Sequence, residues 1–264
     1  MRIIFLSFLV FSSLFSSSIH LSQKDANYVA KKVWQNEGAG QNKYLVWWNK
    51  GEDFASVGIG HFIWFSKGHS ERFREVFPMY VTFMAKKGEK LPSWLHANTP
   101  FPWKTKSAFF KAKKANTRQY QELFNFLKRT MPQQAEFMAV RLSNALPQML
   151  KTINSSKKKA LIKQRFNEVM YNKNGTVNKR GLYVLLDYTN FKGEGTLKSE
   201  RYKGEGWGLL QVLEHMDAKE RNKQKAFALS AKQMLSRRIK NSPPAREEER
   251  WRKGWNVRLD TYWK

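Results

Sequence analysis

The sequence predicts an α+β protein, mainly α, in which a small β-hairpin subdomain sits between a first helix and a large helical lobe. Three observations predict it. Residues 44–65 are rich in aromatic and β-branched side chains interrupted by a polar turn, the flanking segments carry apolar residues at spacings of three and four, and no repeat or long linker divides the chain. With 264 residues, 41% hydrophobic and 14% aromatic, there is enough apolar surface to bury a core that offsets the entropy of ordering.

In chain order, Arg2 precedes an apolar run from Ile3 to Phe15 and then small serines, the layout of a secretory signal, with cleavage expected after Ser18. That run is short of the roughly 20 residues a membrane span needs. The mature part, 19–264, is read as one domain. It consists of a helix and β subdomain over 22–66 and a helical lobe over 67–264. Ser22 is placed to cap a helix and Asp25 to sit in its first turn, favourably against the macrodipole. Tyr28, Val29, Val33 and Trp34 recur at helical spacing, and Gly38 and Gly40 end the helix, leaving Glu37 at its C-terminal edge. "YLVWW" at 44–48, the turn "NKGE" at 49–52 and "FASVGIGHFIWF" at 54–65 then predict a hairpin or a three-stranded sheet. Gly58 and Gly60 are poor strand residues unless the backbone bends there or something approaches closely. Helical periodicity returns over 71–88, 117–130, 133–150, 157–171, 178–191, 219–242 and 245–263, while the prolines and tryptophans of 91–106 argue for irregular structure.

Charge restricts the function. The formal net charge is +27, from 48 basic and 21 acidic residues. Behind a secretory signal the available polyanions are cell-wall glycan, its acidic polymers and lipid head groups rather than nucleic acid, so a periplasmic or secreted location is expected. There is no cysteine, which removes a lipoprotein anchor, a disulfide scaffold and a thiol nucleophile together. Nucleotide, dinucleotide and serine-hydrolase motifs are also lacking, and no cofactor is expected. His20, His69, His96 and His215 are not spaced around His61 as metal ligands, so no metal is expected and His61 is read as a hydrogen-bonded structural histidine. Nothing points to an oligomer, and a monomer is expected.

A helix ending in Glu37, a hairpin carrying "GED" at 51–53, Ser56 and "GIGH" at 58–61, followed by a helical lobe, resembles the phage-type lysozymes. The resemblance implies a lysozyme-like fold and cleavage of the β-1,4 glycan of peptidoglycan, with Glu37 as general acid and Ser56 positioning water or substrate. The family's spacing back from Ser56 falls on Lys50, so the assisting carboxylate is expected at Glu52 or Asp53. The closing "RWRKGWNVRLDTY" is similar to the family's last helix, with Gly254, Trp255 and Arg258 in matching roles that support the fold.

Physical chemistry runs alongside. Glycoside cleavage needs a carboxyl protonated near neutrality and usually a second one ionised. At a helix C-terminus, facing Trp47, Trp48 and Trp64, Glu37 is expected to have a raised pKa. Sugar rings stack on aromatic faces, and Trp48 is assigned such a role, although core packing is the alternative for each tryptophan. Residues 185–216 carry Gly-Glu-Gly twice. The position of this stretch resembles the part of the phage-type lysozymes where a helix meets the cleft floor, and the resemblance implies that Asn190, Phe191 and Gly193 face the substrate or support the β part; His61, Glu194 and Glu205 are assigned as substrate contacts and Glu200 as a further carboxylate. The alternative is a pair of glycine turns whose glutamates pair with Lys192, Arg201 and Lys203. A protein that keeps the fold and binds the wall without cutting it, and a cationic membrane-active protein, are the other classes the sequence leaves open.

Overall fold

A computed structural model describes residues 21–69 and 74–264, and the predicted signal segment at 1–18 lies outside the described residues. α1 (Gln23–Gly38) begins as its sequence requires, with the Ser22 side chain accepting from the Asp25 N–H at 3.1 Å. Ala26, Val29, Ala30 and Val33 form one stripe, each at most 4% exposed, packed on α5 and α7. Burying each valine is worth about 1.5–3 kcal/mol. The helix ends at Ala39, left-handed at φ 48°, next to the Gly38 and Gly40 that mark its stop in the sequence.

Three short antiparallel strands follow in the order β1-β2-β3: β1 (Val46–Trp47), β2 (Ala55–Val57) and β3 (Phe62–Trp64). Val46 pairs with Val57, and Ser56 stands between Trp47 and Ile63. The sheet is thus the three-stranded alternative, with "GIGH" as the turn from β2 to β3. Most of the rest is helical: α2 (Phe77–Lys86), α3 (Lys106–Lys114), α4 (Arg118–Arg129), α5 (Met131–Lys151), α6 (Ser156–Met170), α7 (Lys179–Lys192), α8 (Leu209–His215), α9 (Lys223–Asn241) and α10 (Arg252–Asp260). The α+β, mainly α class therefore holds. α3 has no counterpart among the helical segments read from the sequence; its N-cap is Thr105, whose side chain accepts from the Ala108 N–H, at the edge of the stretch assigned as irregular. A second hairpin, β4 (Arg201–Tyr202) and β5 (Glu205–Gly206), turns through Lys203 and Gly204, both at positive φ as a two-residue turn demands.

One core runs from Val29 to Tyr262. Its aromatic centre joins β3 to the helices: Phe62 lies edge-on to Phe137 of α5, and Trp64 packs at 4.3 Å between ring centroids on Phe77 of α2. No described helix is long and apolar enough to cross a membrane.

Candidate active site

The "GIGH" turn explains its own composition. Gly58 takes φ +74°, and a Cβ there would lie 2.4 Å from the Gln134 Oε1 of α5, which accepts the Ile59 N–H at 2.7 Å. Gln134 is fully buried and also donates to the Leu127 carbonyl, so none of its polarity is wasted. On the other side, Asn190 near the end of α7 donates to the Gly60 carbonyl at 2.9 Å. The turn is thereby held from two helices, and His61, at φ 46°, is set with its Nδ1 3.5 Å from Glu37 Oε2.

Glu37 is the meeting point. Its side chain is 13% exposed; Arg258 of α10 donates to Oε1 at 2.6 Å, and Asn190 reaches the same oxygen at 3.4 Å. Arg258 is itself gripped by Asp187 of α7 through two hydrogen bonds of 2.9 Å. Asp187 is fully buried and also accepts from Tyr262 at 2.6 Å and Asn36 at 3.2 Å. This bidentate hold fixes the guanidinium so that one remaining N–H faces Glu37. The Phe191 ring lies 4.0 Å from the same guanidinium.

The charge state of Glu37 corrects the sequence expectation. Burial does push its pKa upward, but the charges of Arg258 and His61, with hydrogen bonds from Arg258 and Asn190, outweigh burial and hold the carboxyl below its ordinary value. The helix-end position was visible in the sequence; a guanidinium arriving from residue 258 was not, and the expected tryptophans pack elsewhere, Trp47 on Phe110, Trp48 on Phe101 and Trp64 on Phe77. A depressed folded pKa stabilises the protein above the unfolded value of about 4.3, and that stability is lost as pH falls through the folded pKa. Urea unfolding of Glu37→Gln between pH 7 and pH 3 is therefore expected to show a shallower acid loss than the wild type.

The other assigned residues separate. Glu52 accepts from Asn49 on the β1–β2 turn and Asp53 is exposed there; neither forms an ion pair or hydrogen bond with Glu37. Ser56 is buried in β2 and is not among the partners of Glu37. Trp48 is only 5% exposed, edge-on to Phe101, with its indole N–H given to the Glu52 carbonyl, so it is core and offers no stacking face. Glu205 is ion-paired with Arg237 at 3.0 Å and lines a different depression. The alternative pairings of the loop glutamates with Lys192, Arg201 and Lys203 do not form either. Glu200 accepts the Leu197 N–H, while the Arg201 guanidinium goes to the carbonyls of Gly195 and Gly204.

Asn190 and Glu194 instead share the wall of a cavity of about 450 Å³, with Ile63 of β3, Arg141 of α5 and Tyr202 of β4 on its other sides. Burial pushes the Glu194 carboxyl upward, against the weaker pull of Arg141 and Arg74. The residue that the sequence reading passed over is Asp187, a lone acid inside the apolar run "LYVLLDY". A buried carboxylate in such a run requires a partner, which marks Asp187 in the sequence without saying which cation supplies it. Comparison with family models, with curated proteins and with solved structures finds no match.

Proposed function

We propose that this chain is an exported enzyme of lysozyme-like fold that cleaves the β-1,4 glycan of peptidoglycan, with Glu37 as its indispensable carboxyl. One observation carries the reading. Three polar side chains, His61 of the "GIGH" turn, Asn190 of α7 and Arg258 of α10, converge on the largely buried carboxylate that ends α1, and one of them, Asn190, opens onto the cavity. Structural ion pairs are common, but one joined to a turn held open by glycine and to a cavity wall is what a positioned catalytic carboxyl requires.

Because Arg258 keeps Glu37 ionised at rest, its first act is that of a carboxylate, stabilising positive charge at the anomeric carbon or activating water. The proton for the leaving oxygen is then supplied by Glu194, biased the opposite way by burial. Two carboxyls whose surroundings push their proton affinities apart are the pairing that glycoside cleavage uses. The net charge of +27 draws the protein to the anionic wall.

The position of Glu52 and Asp53 away from Glu37 favours the second reading, a wall-binding protein that does not cut. Purified sacculi separate the two. Wild type is expected to release soluble muropeptides, and Glu37→Gln to release them about 10²–10⁴-fold more slowly while still sedimenting with the sacculi. Binding without release by the wild type would establish the non-catalytic reading.

A further inference from the structure

The cavity beside Asn190 carries cations that no carboxylate among the described residues pairs with. Arg238 on its wall is satisfied, held by Glu248 through two hydrogen bonds of 2.7 Å. Lys192 is not. Its ammonium lies 3.8 Å from the Phe191 ring centroid and 3.7 Å from that of Trp255, and no described carboxylate comes within ion-pair distance. Arg141 and Arg246, also on the wall, have no ion pair among the described residues. Of the two acids lining the cavity, Glu200 is engaged with the Leu197 N–H and Glu194 is pushed toward its neutral form.

An ammonium clamped between two rings keeps cation–π attraction but gives up water, and with Arg238 and Arg258 nearby it is short of negative charge. Burial first, and then those two guanidinium groups, pull the Lys192 pKa well below the ordinary lysine value, against the weaker opposing charges of Glu248 and Glu37. A bound anion reverses that deficit. The rings fix the ammonium on the wall, so little side-chain entropy remains to be lost when an anion arrives.

We propose that this cavity is a subsite for a ligand carboxylate, read by Lys192. Resting on the glycan-cleaving reading, the ligand is the acid-bearing peptide stem of a muramic acid unit, which neutral chitin lacks. The cavity borders Glu37 through Asn190, so a stem held at Lys192 aligns the glycan with the reacting carboxyls.

Muramyl dipeptide tests this without any cleavable glycosidic bond. Calorimetric titration of the full chain is expected to show binding of the acid form, and affinity about tenfold weaker for its C-terminal amide and for Lys192→Met. Lys192→Arg is expected to retain most of the affinity, which separates charge from fold. N-acetylglucosamine binding should not change between wild type and Lys192→Met. The proposal is overturned if wild type does not bind the acid form, if amide and acid bind alike, if Lys192→Met binds as the wild type does, or if free acetate binds as tightly as the dipeptide. Acid-form binding with no muropeptide release leaves the subsite and removes the enzyme. Release from sacculi that is indifferent to Lys192→Met leaves the enzyme and removes the subsite.

Discussion

Arg258→Met is expected to destabilise the protein by about 3–5 kcal/mol, the cost of leaving a buried charge without its partner. The charge is that of Asp187, fully buried, which keeps only the Tyr262 hydroxyl and the Asn36 amide once the two guanidinium hydrogen bonds are gone. Methionine fills much of the volume and retains contact with Phe191, so the loss reports the charge rather than a hole. Urea denaturation at pH 7 measures it. Asp187→Asn in the same background is expected to recover a large part, because the stranded charge disappears, and simple additivity of the two changes would refute the coupling. The variant has a second readout. With Arg258 gone, burial dominates at Glu37 and its pKa is expected to rise above the ordinary glutamate value, shifting the acid limb of any activity profile toward neutrality.

Gly208→Ala is expected to cost about 3 kcal/mol, at the upper end for an inserted methyl group. A Cβ at 208 would lie 2.1 Å from the Gly195 nitrogen and 2.3 Å from its Cα, and backbone cannot rotate away as a side chain would. The contact joins the two Gly-Glu-Gly loops, which are stitched by Gln211: its Oε1 accepts the Gly208 N–H and its Nε2 donates to the Gly195 carbonyl, each at 3.1 Å. The neighbouring bonds from Leu209 to Gly193 and from Leu210 to Glu194 fix the loop that carries Glu194 to the cavity. Loss of thermal midpoint should therefore accompany loss of muropeptide release. Gly254→Ala is the control. It lies inside α10 with open space around it, so alanine is expected to be neutral or stabilising by up to about 1 kcal/mol. Equal losses at 208 and 254 would contradict the account.

Local rules made the first helix and the sheet legible. The Ser22 cap, the buried valines 29 and 33 and the glycine stop all act within a few residues and stand where the sequence puts them, whereas Tyr28 and Trp34 are only partly buried and Ala26 and Ala30 complete the stripe. The bend at Gly58 was readable as a bend, but the reason for it, Gln134, lies 75 residues beyond the Ile59 whose N–H it accepts. Site assembly was the less legible part. Glu37, His61 and Asn190 could be singled out because each sits at an element end or turn, where side chains are free to converge. Trp48 was misplaced because an aromatic residue in a half-buried strand reads the same whether its ring faces a groove or the core. The pKa of Glu37 was given the wrong direction because desolvation follows from local composition, whereas Arg258 comes from a helix whose docking no local pattern predicts.

The ion pair between positions 37 and 258 spans 221 residues of chain. Contacts of that separation form late, after the intervening loops have closed. A molecule in which α10 has not yet docked holds a glutamate with no guanidinium beside it and no fixed aim. The polar cluster around Glu37 is consequently incomplete until α10 docks, because Arg258 reaches the carboxyl only from that helix.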